Sequence, residues 1–518
     1  MSLRETSQTN IKHKTLPTSL LWLIGFNLLG RVIWILYMHP KQLADFDWYF
    51  THAVQMANGQ GYMEVNAPTA YWPMGWPFIL SIVIRLFGPH VMAGLVANAI
   101  FSTVIVWLIY ALTFRILGTR HNQAVTNVSD MSTWKESANK DLSHNTAHRI
   151  AMTAAIGYSL LPSQIEWNAI LGSEESFTLL LVLSLFVYAK LVRRNNTEPW
   201  FWRTATAGVI FGLASIVRPI GLLFPVFLAA YEFWVNRRQI IQALLRGITF
   251  GVSMLIGIAP ITIRNAIAMH HFILVSTNGG VNLWQGTKIN GGYFWTWNPY
   301  RNPLLKAGNN QVLENQIGKQ VSEKYILHHP LLTLLNGFHK VFDLYKVDTN
   351  AVWYTFNVQY PHSHAALYTF DAIDTLGYWF MMIFVLVALL VLYIRSARNN
   401  LLIHQMFSSS SRAMASASTN FDSQFKGNSQ EVAGTLTENA DTVEKYARKS
   451  AGSLRRATGF LLTFILYNTL LFLFFPAWDR FRYPLMPLFA VFFAIGWFAL
   501  RGLLRSRSTP VPNSLNGH

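Results

Sequence analysis

Cysteine is absent from this chain of 518 residues. That absence excludes a disulfide framework, a thiolate nucleophile and a metal site built from cysteine. Charged residues are also scarce, at 13% of the sequence against about 25% in an ordinary soluble domain. No glycine-rich dinucleotide-binding signature occurs, so an enzyme here would need an activated substrate that reaches it without a nucleotide site. The sequence shows no convincing internal repeat.

Long apolar blocks dominate instead, and 52% of the residues are hydrophobic. A helix needs about 20 mostly apolar residues to cross the hydrocarbon core of a bilayer. The sequence therefore predicts an all-α polytopic membrane protein with roughly ten transmembrane helices. The blocks are residues 18–38, 91–117, 150–166, 174–191, 202–217, 219–235, 244–263, 376–394, 459–475 and 483–503. Residues 77–88 are too short to cross, and we expect a re-entrant or interfacial helix there.

Membrane topology, rather than a nucleic-acid partner, explains the net charge of +17, because Lys and Arg gather at the ends of apolar blocks. Basic runs at 190–196, 236–239 and 501–507 all fall on one side if every block crosses. The positive-inside rule makes that side cytoplasmic and places both termini there. The first block is long and lacks a small-residue cleavage site, so we expect it to remain as a signal anchor.

Polar segments divide the chain further. We predict a transmembrane core over 1–395, a low-complexity cytoplasmic insertion over 396–454, and two final transmembrane helices with a cytoplasmic tail over 455–518. Within the core, residues 39–90 are expected to form an external loop with interfacial helices. Residues 118–148 have little apolar periodicity and are predicted to be a flexible cytoplasmic insertion.

A small external cap of mixed structure is predicted over 264–374, a segment rich in Trp, Tyr, Asn and Gly. Aromatic and Gly-rich patterning predicts short strands and tight turns at 272–297. Helical periodicity with an early proline predicts an interfacial helix at 328–345.

Two pairs of acids stand at block ends on the predicted external side. Asp45 and Asp47 follow the first block, and Glu174 and Glu175 open the fourth. Carboxylates there can act as general bases or as cation ligands. Each pair also has a structural interpretation: an aspartate can cap a helix beginning at Trp48, and glutamates suit the positive end of a helix. Function is favoured for the Asp pair, and both interpretations of the Glu pair stay open.

Five cations are also expected on the external side. They are Arg218, Arg264, Lys340, Arg480 and Arg482. Arginine suits phosphate because its planar guanidinium binds two oxygens at once. Taken singly, each cation is expected to snorkel or to pair with an acid. Several of them converging on the acids would form a phosphoester site.

Two further signals are weaker. Arg31 lies inside the first apolar block, where a charge is costly, so we expect it to pair or to face an internal cavity. The histidines form no compelling ligand pattern, so no metal site is predicted. No cofactor is assigned, and a requirement for a divalent cation stays open.

Several longer motifs follow one another along the chain. They are "DFDWYFTHAVQMANGQGY" continued by "PTAYWPMGWPFILSIVIRLFG", "GSEESFTLLL", "VRPIGLLFP", "PITIRN" with "STNGGVNLWQG", and "RFRYPLMPL". Together they resemble the motifs of GT-C glycosyltransferases, and in particular the bacterial protein-mannosyltransferase-like family. That family includes the lipid A aminoarabinose and galacturonic acid transferases. The resemblance covers most of the chain outside the two cytoplasmic insertions.

The resemblance implies transfer of a hexosyl or pentosyl group from a polyprenyl-phosphate carrier to an acceptor hydroxyl, with inversion, at the external face of the bacterial plasma membrane. The family's catalytic aspartate maps onto Asp45, with Tyr49 as the tyrosine that follows it. Asp47 is an extra acid, which leaves the choice between the two open. The acid of the second loop maps onto Glu174.

The lipid phosphate is expected to contact Arg264 first, with Arg480 or Arg482 next and Arg218 as a further candidate. Aminoarabinose transferases carry a lysine where this chain reads "YWPMGWP". The same donor, or lipid A as acceptor, is therefore not implied, and the acceptor can be a lipid, a glycan or a protein.

Three other functions were weighed. A transporter or flippase for a lipid-linked saccharide would place polar sites near the midplane and often shows repeats, whereas the acids here cluster at block ends. A glycan polymerase or ligase that uses diphosphate-linked donors stays open. An inactive relative is disfavoured because both loop acids and several arginines are present.

Overall fold

The computed structural model describes residues 17–38, 40–117, 131–192, 200–287, 295–357, 363–394, 403 and 451–507. Helices account for most of this part of the chain. The α-helices, in chain order, are α1 (Thr18–Tyr37), α2 (Asp45–Ala57), α3 (Gly75–Phe87), α4 (Val91–Leu117), α5 (Met131–Ser159), α6 (Pro162–Glu166), α7 (Glu174–Val192), α8 (Trp200–Val217), α9 (Phe224–Val235), α10 (Ile240–Met269), α11 (Gly279–Thr287), α12 (Gln311–His328), α13 (Pro330–Lys346), α14 (Asn350–Val352), α15 (His364–Tyr393), α16 (described over residues 451–471) and α17 (Met486–Arg507).

Shorter elements connect these helices. The 3-10 helices are Trp167–Ala169, Pro219–Gly221, Pro303–Ala307 and Asp479–Leu485, and Trp353–Asn357 is a π-helical turn. Two short antiparallel strands, β1 (Met63–Glu64) and β2 (Ala67–Pro68), form a hairpin in which Met63 lies opposite Pro68.

Long apolar helices confirm the prediction of an all-α polytopic membrane protein. Six stretches of the described chain are long and apolar enough to cross a bilayer: α1, α4, α8, α10, α15 and Asp479–Leu504, which contains α17. Two further apolar stretches are shorter: Pro219–Val235 and helix α3. The short length of α3 agrees with the prediction that residues 77–88 do not cross the bilayer. The predicted total of about ten spans stays a prediction.

The third predicted block, residues 150–166, does not form one helix. Helix α5 ends at Ser159, and the chain turns into the short helix α6. The break follows from Pro162, because the residue before a proline is pushed out of the α region, and Leu161 is extended with ψ at 119°. The block is therefore not one continuous helix, and its helical part up to Ser159 is the end of α5.

The predicted flexible segment 118–148 also differs from the structure. Its second half belongs to α5, which begins at Met131, while residues 118–130 lie outside the described part of the chain. Most of the insertion at 396–454 lies outside it as well, apart from residue 403 and the start of α16.

Strands predicted at 272–297 are replaced by helix α11, with residues 288–294 outside the described part. The glycines here serve close packing rather than turns. A Cβ on Gly280 would collide with the backbone of Asn315, and one on Gly318 would collide with Gly280, so α11 and α12 approach closely through their glycines. The helix predicted at 328–345 is confirmed as α13.

Helix α4 lies at the centre of the bundle and packs against α1, α3, α5 and α7. This arrangement brings three chain ends together. The start of α2, the start of α7 and the 3-10 helix Asp479–Leu485, called the 479–485 helix below, meet at one end of the bundle.

Candidate active site

The first acid pair lies on α2, which begins at Asp45 itself. The preceding residue, Ala44, has a φ of 51°, and the helix has no side-chain cap. Because the helix does not begin at Trp48, the capping interpretation of this pair is wrong. Asp45 is half-buried, whereas Asp47 is exposed. The structure therefore separates two acids that the sequence left equivalent.

The second acid pair forms the first turn of α7, where Glu174 and Glu175 are each 1% exposed. Glu174 Oε1 accepts hydrogen bonds from Arg218 Nη1 and from Arg480 Nε, both at 2.5 Å. Arg218 also donates to Ser173 Oγ at 3.2 Å. A buried carboxylate is tolerated only when its charge is compensated, and two guanidinium groups do so here.

Arg480 joins the two acid pairs, since its Nη2 lies 2.6 Å from Asp45 Oδ2. Its guanidinium carbon lies 4.7 Å from the ring centroid of Phe46 and 5.8 Å from that of Trp167. Aromatic faces stabilise a cation and keep water away from it. Four side chains thus form one connected group of two carboxylates and two guanidinium groups. Asp45, Glu174, Arg218 and Arg480 are called the charge cluster below.

Arg482 does not join the charge cluster, although the sequence made it a candidate for phosphate binding. Its Nη1 donates to Leu344 O at 2.6 Å, its Nη2 donates to Val347 O at 3.0 Å, and Nη2 also lies 3.1 Å from Asp348 Oδ1. The side chain is 1% exposed. These contacts tie the 479–485 helix to the end of α13, so Arg482 has a structural role.

Arg264, the first choice for the lipid phosphate, also lies apart from the charge cluster. Its Nη1 donates to Thr69 O at 2.6 Å and its Nη2 donates to Tyr62 O at 2.8 Å. In the described part of the chain, no carboxylate forms an ion pair with it. Arg264 therefore holds the 39–90 segment against α10 while its charge stays uncompensated by an acid.

An aromatic group lies between Arg264 and the charge cluster. Its members are Trp48, Tyr49, His52, Tyr62 and Trp72, whose rings contact one another at centroid distances from 3.5 to 6.5 Å. Burial, and then the negative charge of Asp45, raise the pKa of Tyr49, so its hydroxyl keeps its proton. Burial lowers the pKa of His52. Tyr49, His52 and Tyr62 are buried, so Trp48 and Trp72 are the partly exposed rings of this aromatic group.

Two other buried residues hold neighbouring elements together. Lys340 Nζ donates to Gly286 O at 2.7 Å and joins α13 to α11, and burial lowers its pKa to about 8. Trp76 on α3 is fully buried, and its indole Nε1 donates to Leu171 O at 3.0 Å.

Sequence reasoning missed the apolar walls of the charge cluster. Phe46 lies between the two aspartates in the sequence, and its position on the buried face of α2 could have been predicted from its apolar side chain. Trp167 and Tyr354 pack around it, with Tyr354 4.9 Å from Phe46 between ring centroids. Neither carries a sequence signal, because tertiary folding alone brings them there.

No metal centre is found within the described residues, where no group of three His, Asp or Glu side chains could hold an ion. The two acids of the charge cluster face guanidinium groups instead. The fold and site thus define an integral-membrane protein with a buried, charge-balanced cluster at one end of its helical bundle.

Comparisons with known proteins found similar chains among solved structures alone. No family model and no curated protein matches the sequence. Among solved structures, the chain is similar to the oligosaccharyltransferase of Archaeoglobus fulgidus in complex with Zn and sulfate, at a TM-score of 0.39 and 12% identity over 92% of this chain and 53% of that one. The chain thus spans about half the length of that protein.

A second similar structure is ArnT of Cupriavidus metallidurans bound to undecaprenyl phosphate. It matches at a TM-score of 0.36 and 11% identity, over 95% of this chain and 78% of that chain. TM-scores this low do not establish a shared mechanism, so the site itself has to support the function.

Proposed function

We propose that this protein is an integral-membrane glycosyltransferase that moves a sugar from a polyprenyl-phosphate carrier to an acceptor hydroxyl. The observation that supports it is the charge cluster, in which Arg480 bridges Asp45 and Glu174. The half-buried carboxylate of Asp45 is held by Arg480, and Arg218 bonds the same glutamate as Arg480, so the cluster offers both groups that the reaction needs. The carboxylate accepts a proton, and the guanidinium groups stabilise a departing phosphate.

In the proposed reaction, the acceptor oxygen attacks the anomeric carbon as its proton passes to Asp45. The bond between the anomeric carbon and the phosphate oxygen breaks, and polyprenyl phosphate leaves with the electron pair. Attack opposite the leaving group inverts the anomeric centre. Glu174 keeps Arg218 and Arg480 in place throughout.

Before a donor binds, the charges of the two acids balance those of the two arginines, and this balance affects how the donor can bind. A donor phosphate that reaches Arg480 competes with Asp45 for the same guanidinium. Donor binding then frees Asp45 to act as a base only when the carrier is present. Arg264, which has no acid partner in the described part of the chain, lies across the aromatic group from Arg480 and suits an anionic oxygen of the donor or of the acceptor there.

The carrier lipid is supplied by the bilayer, which removes the need for a nucleotide site. We place the cluster on the extracytoplasmic face of a bacterial plasma membrane, with both termini in the cytoplasm, on the distribution of Lys and Arg. The aromatic group beside Asp45 suits the face of the transferred sugar.

The test is a transfer assay with protein reconstituted in liposomes and a panel of polyprenyl-phosphate pentoses and hexoses. Release of polyprenyl phosphate together with a glycosylated acceptor supports the proposal. Movement of an intact lipid-linked sugar across the bilayer, without cleavage, would instead identify a flippase and overturn it.

Topology is tested separately, and the absence of native cysteine makes the test clean. Val65 is 85% exposed in the hairpin of the 39–90 segment, and Arg238 is exposed between α9 and α10. A membrane-impermeant maleimide applied to intact cells should label V65C and spare R238C. The reverse pattern would place the charge cluster on the cytoplasmic side.

A further inference from the structure

A polar layer crosses the apolar bundle beneath the charge cluster. Arg31 on α1 is 1% exposed and donates from Nε to Ser102 Oγ on α4 at 2.7 Å. One helical turn earlier, Asn27 donates to Thr103 Oγ1 at 3.0 Å and accepts from Ser159 Oγ at 2.8 Å. Polar groups at this depth are costly, and a charge there marks a functional role by default.

The layer continues towards the charge cluster through two tyrosines. Tyr483 donates its hydroxyl hydrogen to Glu175 Oε1, and its oxygen lies 3.5 Å from that of Tyr158. Arg31 Nη1 also donates at 3.4 Å to the backbone oxygen of Ser159, which directly follows Tyr158. A connected series of residues therefore runs from Arg31 to Glu175, which directly follows Glu174.

Arg31 and Glu175 also carry complementary unsatisfied atoms. Within the described residues, Arg31 Nη2 and Glu175 Oε2 have no hydrogen-bond partner, although both residues are 1% exposed. No described carboxylate lies within ion-pair distance of Arg31, and Glu175 is among the charges that act on it. The two residues therefore form a pair that is linked through the polar layer rather than by direct contact.

The geometry of the 479–485 helix transmits this pairing to the charge cluster. In a 3-10 helix, side chains at i and i+3 lie directly above one another. Arg480 and Tyr483 have this spacing, so they share one face of the helix. Arg480 contacts Glu174 and Tyr483 contacts Glu175, so two successive acids of α7 hold two stacked residues.

We propose that Glu175 is a positioning residue, linked to Arg31 through the polar layer, that fixes the rotation of the 479–485 helix and so holds Arg480 between Asp45 and Glu174. Glu175 does not touch the reacting atoms in this role. It acts through Tyr483, and the inference rests on the proposed function only where it concerns the rate of transfer.

The first test does not depend on activity. Thermal unfolding in detergent is measured for Glu175→Gln, for Arg31→Gln and for the double variant. The two residues belong to one connected polar layer, so the double variant should lose less in Tm than the sum of the two singles. A control cycle pairs Glu175→Gln with Arg246→Gln, whose partner is Glu232 at 3.2 Å, and should be additive. Additive losses for Arg31 and Glu175 would overturn the pairing.

The second test measures hydrogen exchange of the backbone amides in the 479–485 helix. Exchange should rise in Glu175→Gln and in Tyr483→Phe. The matched control is Tyr393→Phe, which removes a tyrosine hydroxyl bonded to Thr458 at 3.1 Å elsewhere in the bundle. Unchanged exchange in the first two variants would overturn the positioning role even if transfer is affected.

The third test uses transfer kinetics. Tyr483→Phe should lower kcat on the order of 100-fold, as a small misplacement of a reacting group does, while KM for the donor changes little. Tyr393→Phe should keep both constants. Should the unaltered protein show no transfer at all, the proposed function fails, and unfolding and exchange still decide the positioning role. A wild-type kcat in Tyr483→Phe would contradict it.

Discussion

Arg480 Nη2 lies 2.6 Å from Asp45 Oδ2, although 435 positions separate the two residues in the sequence. The same guanidinium bonds Glu174, so one side chain connects the first loop, the start of α7 and the 479–485 helix. This connection is the centre of the proposed active site. It also makes the site sensitive to any change in the rotation of one short helix.

Replacing Arg480 by lysine should lower transfer on the order of 100-fold, because an ammonium is a point charge and cannot hold two carboxylates as a planar fork does. The measurement is kcat/KM with the carrier-linked donor. Arg237→Lys is the matched control, since Arg237 is exposed and stacks on Trp234. Equal rates for Arg480→Lys and the unaltered protein would contradict the bridging role.

Replacing Glu174 by glutamine should destabilise the protein by about 3 to 5 kcal/mol, because it leaves two buried guanidinium groups without their shared counter-charge. The free energy of unfolding in detergent measures this loss. Glu323→Gln, an exposed change on α12, should leave it nearly unaltered. A loss as small as that of the control would show that Glu174 does not balance the cluster.

A variant of Arg264 tests whether this residue binds the donor or only stabilises the fold. If it binds donor phosphate, Arg264→Gln should raise KM for the donor several-fold, since a charge-assisted bond is lost, with a smaller change in kcat. The paired measurement is Tm, because the variant also loses donors to Thr69 O and Tyr62 O. A lower Tm with an unchanged KM would assign Arg264 to the fold alone.

Glu314 on α12 should make stability depend on pH. Burial, and then the nearby charge of Glu64, raise its pKa from 4.5 to about 7. Between these values the folded protein keeps a proton that the unfolded chain releases, so stability falls as pH rises. Glu314→Gln should therefore be more stable than the unaltered protein above neutral pH, by about 1 kcal/mol after allowing for solvent screening.

Unfolding measured from about pH 4 to about pH 8 checks this prediction. The difference between the two proteins should vanish at the acidic end, where Glu314 is protonated in both states. Glu323→Gln on the same helix serves as the control. A difference that stays constant across this range would mean that Glu314 does not titrate there.

The long apolar helices could be predicted from the sequence because a helix needs a long apolar block to cross the hydrocarbon core of a bilayer. Breaks inside such blocks were less readable, as at Pro162, where a local backbone constraint ended α5 early. The glycines of 279–280 were misread as turn residues because their partner surface on α12 is distant in sequence. Close packing between helices leaves no local periodicity to detect.

The candidate site could be predicted only in part, because some of its contacts join residues that are distant in the sequence. Asp45, Glu174 and Arg480 carry motifs, and the structure brings them together. Arg482 carries the same motif two residues later but lies on another face of the 479–485 helix, bonded to the end of α13. The choice between Asp45 and Asp47 depended on which side of α2 faces the bundle, and that is set by tertiary contacts.

The central claim is that Asp45 accepts the acceptor proton, and a comparison of two isosteric variants tests it most directly. Asp45→Asn and Asp47→Asn are assayed side by side for transfer from the polyprenyl-phosphate donor found active with the unaltered protein. The account predicts that Asp45→Asn loses nearly all turnover while Asp47→Asn, an exposed change one residue beyond Phe46, keeps most of it. Full turnover in Asp45→Asn would contradict the account.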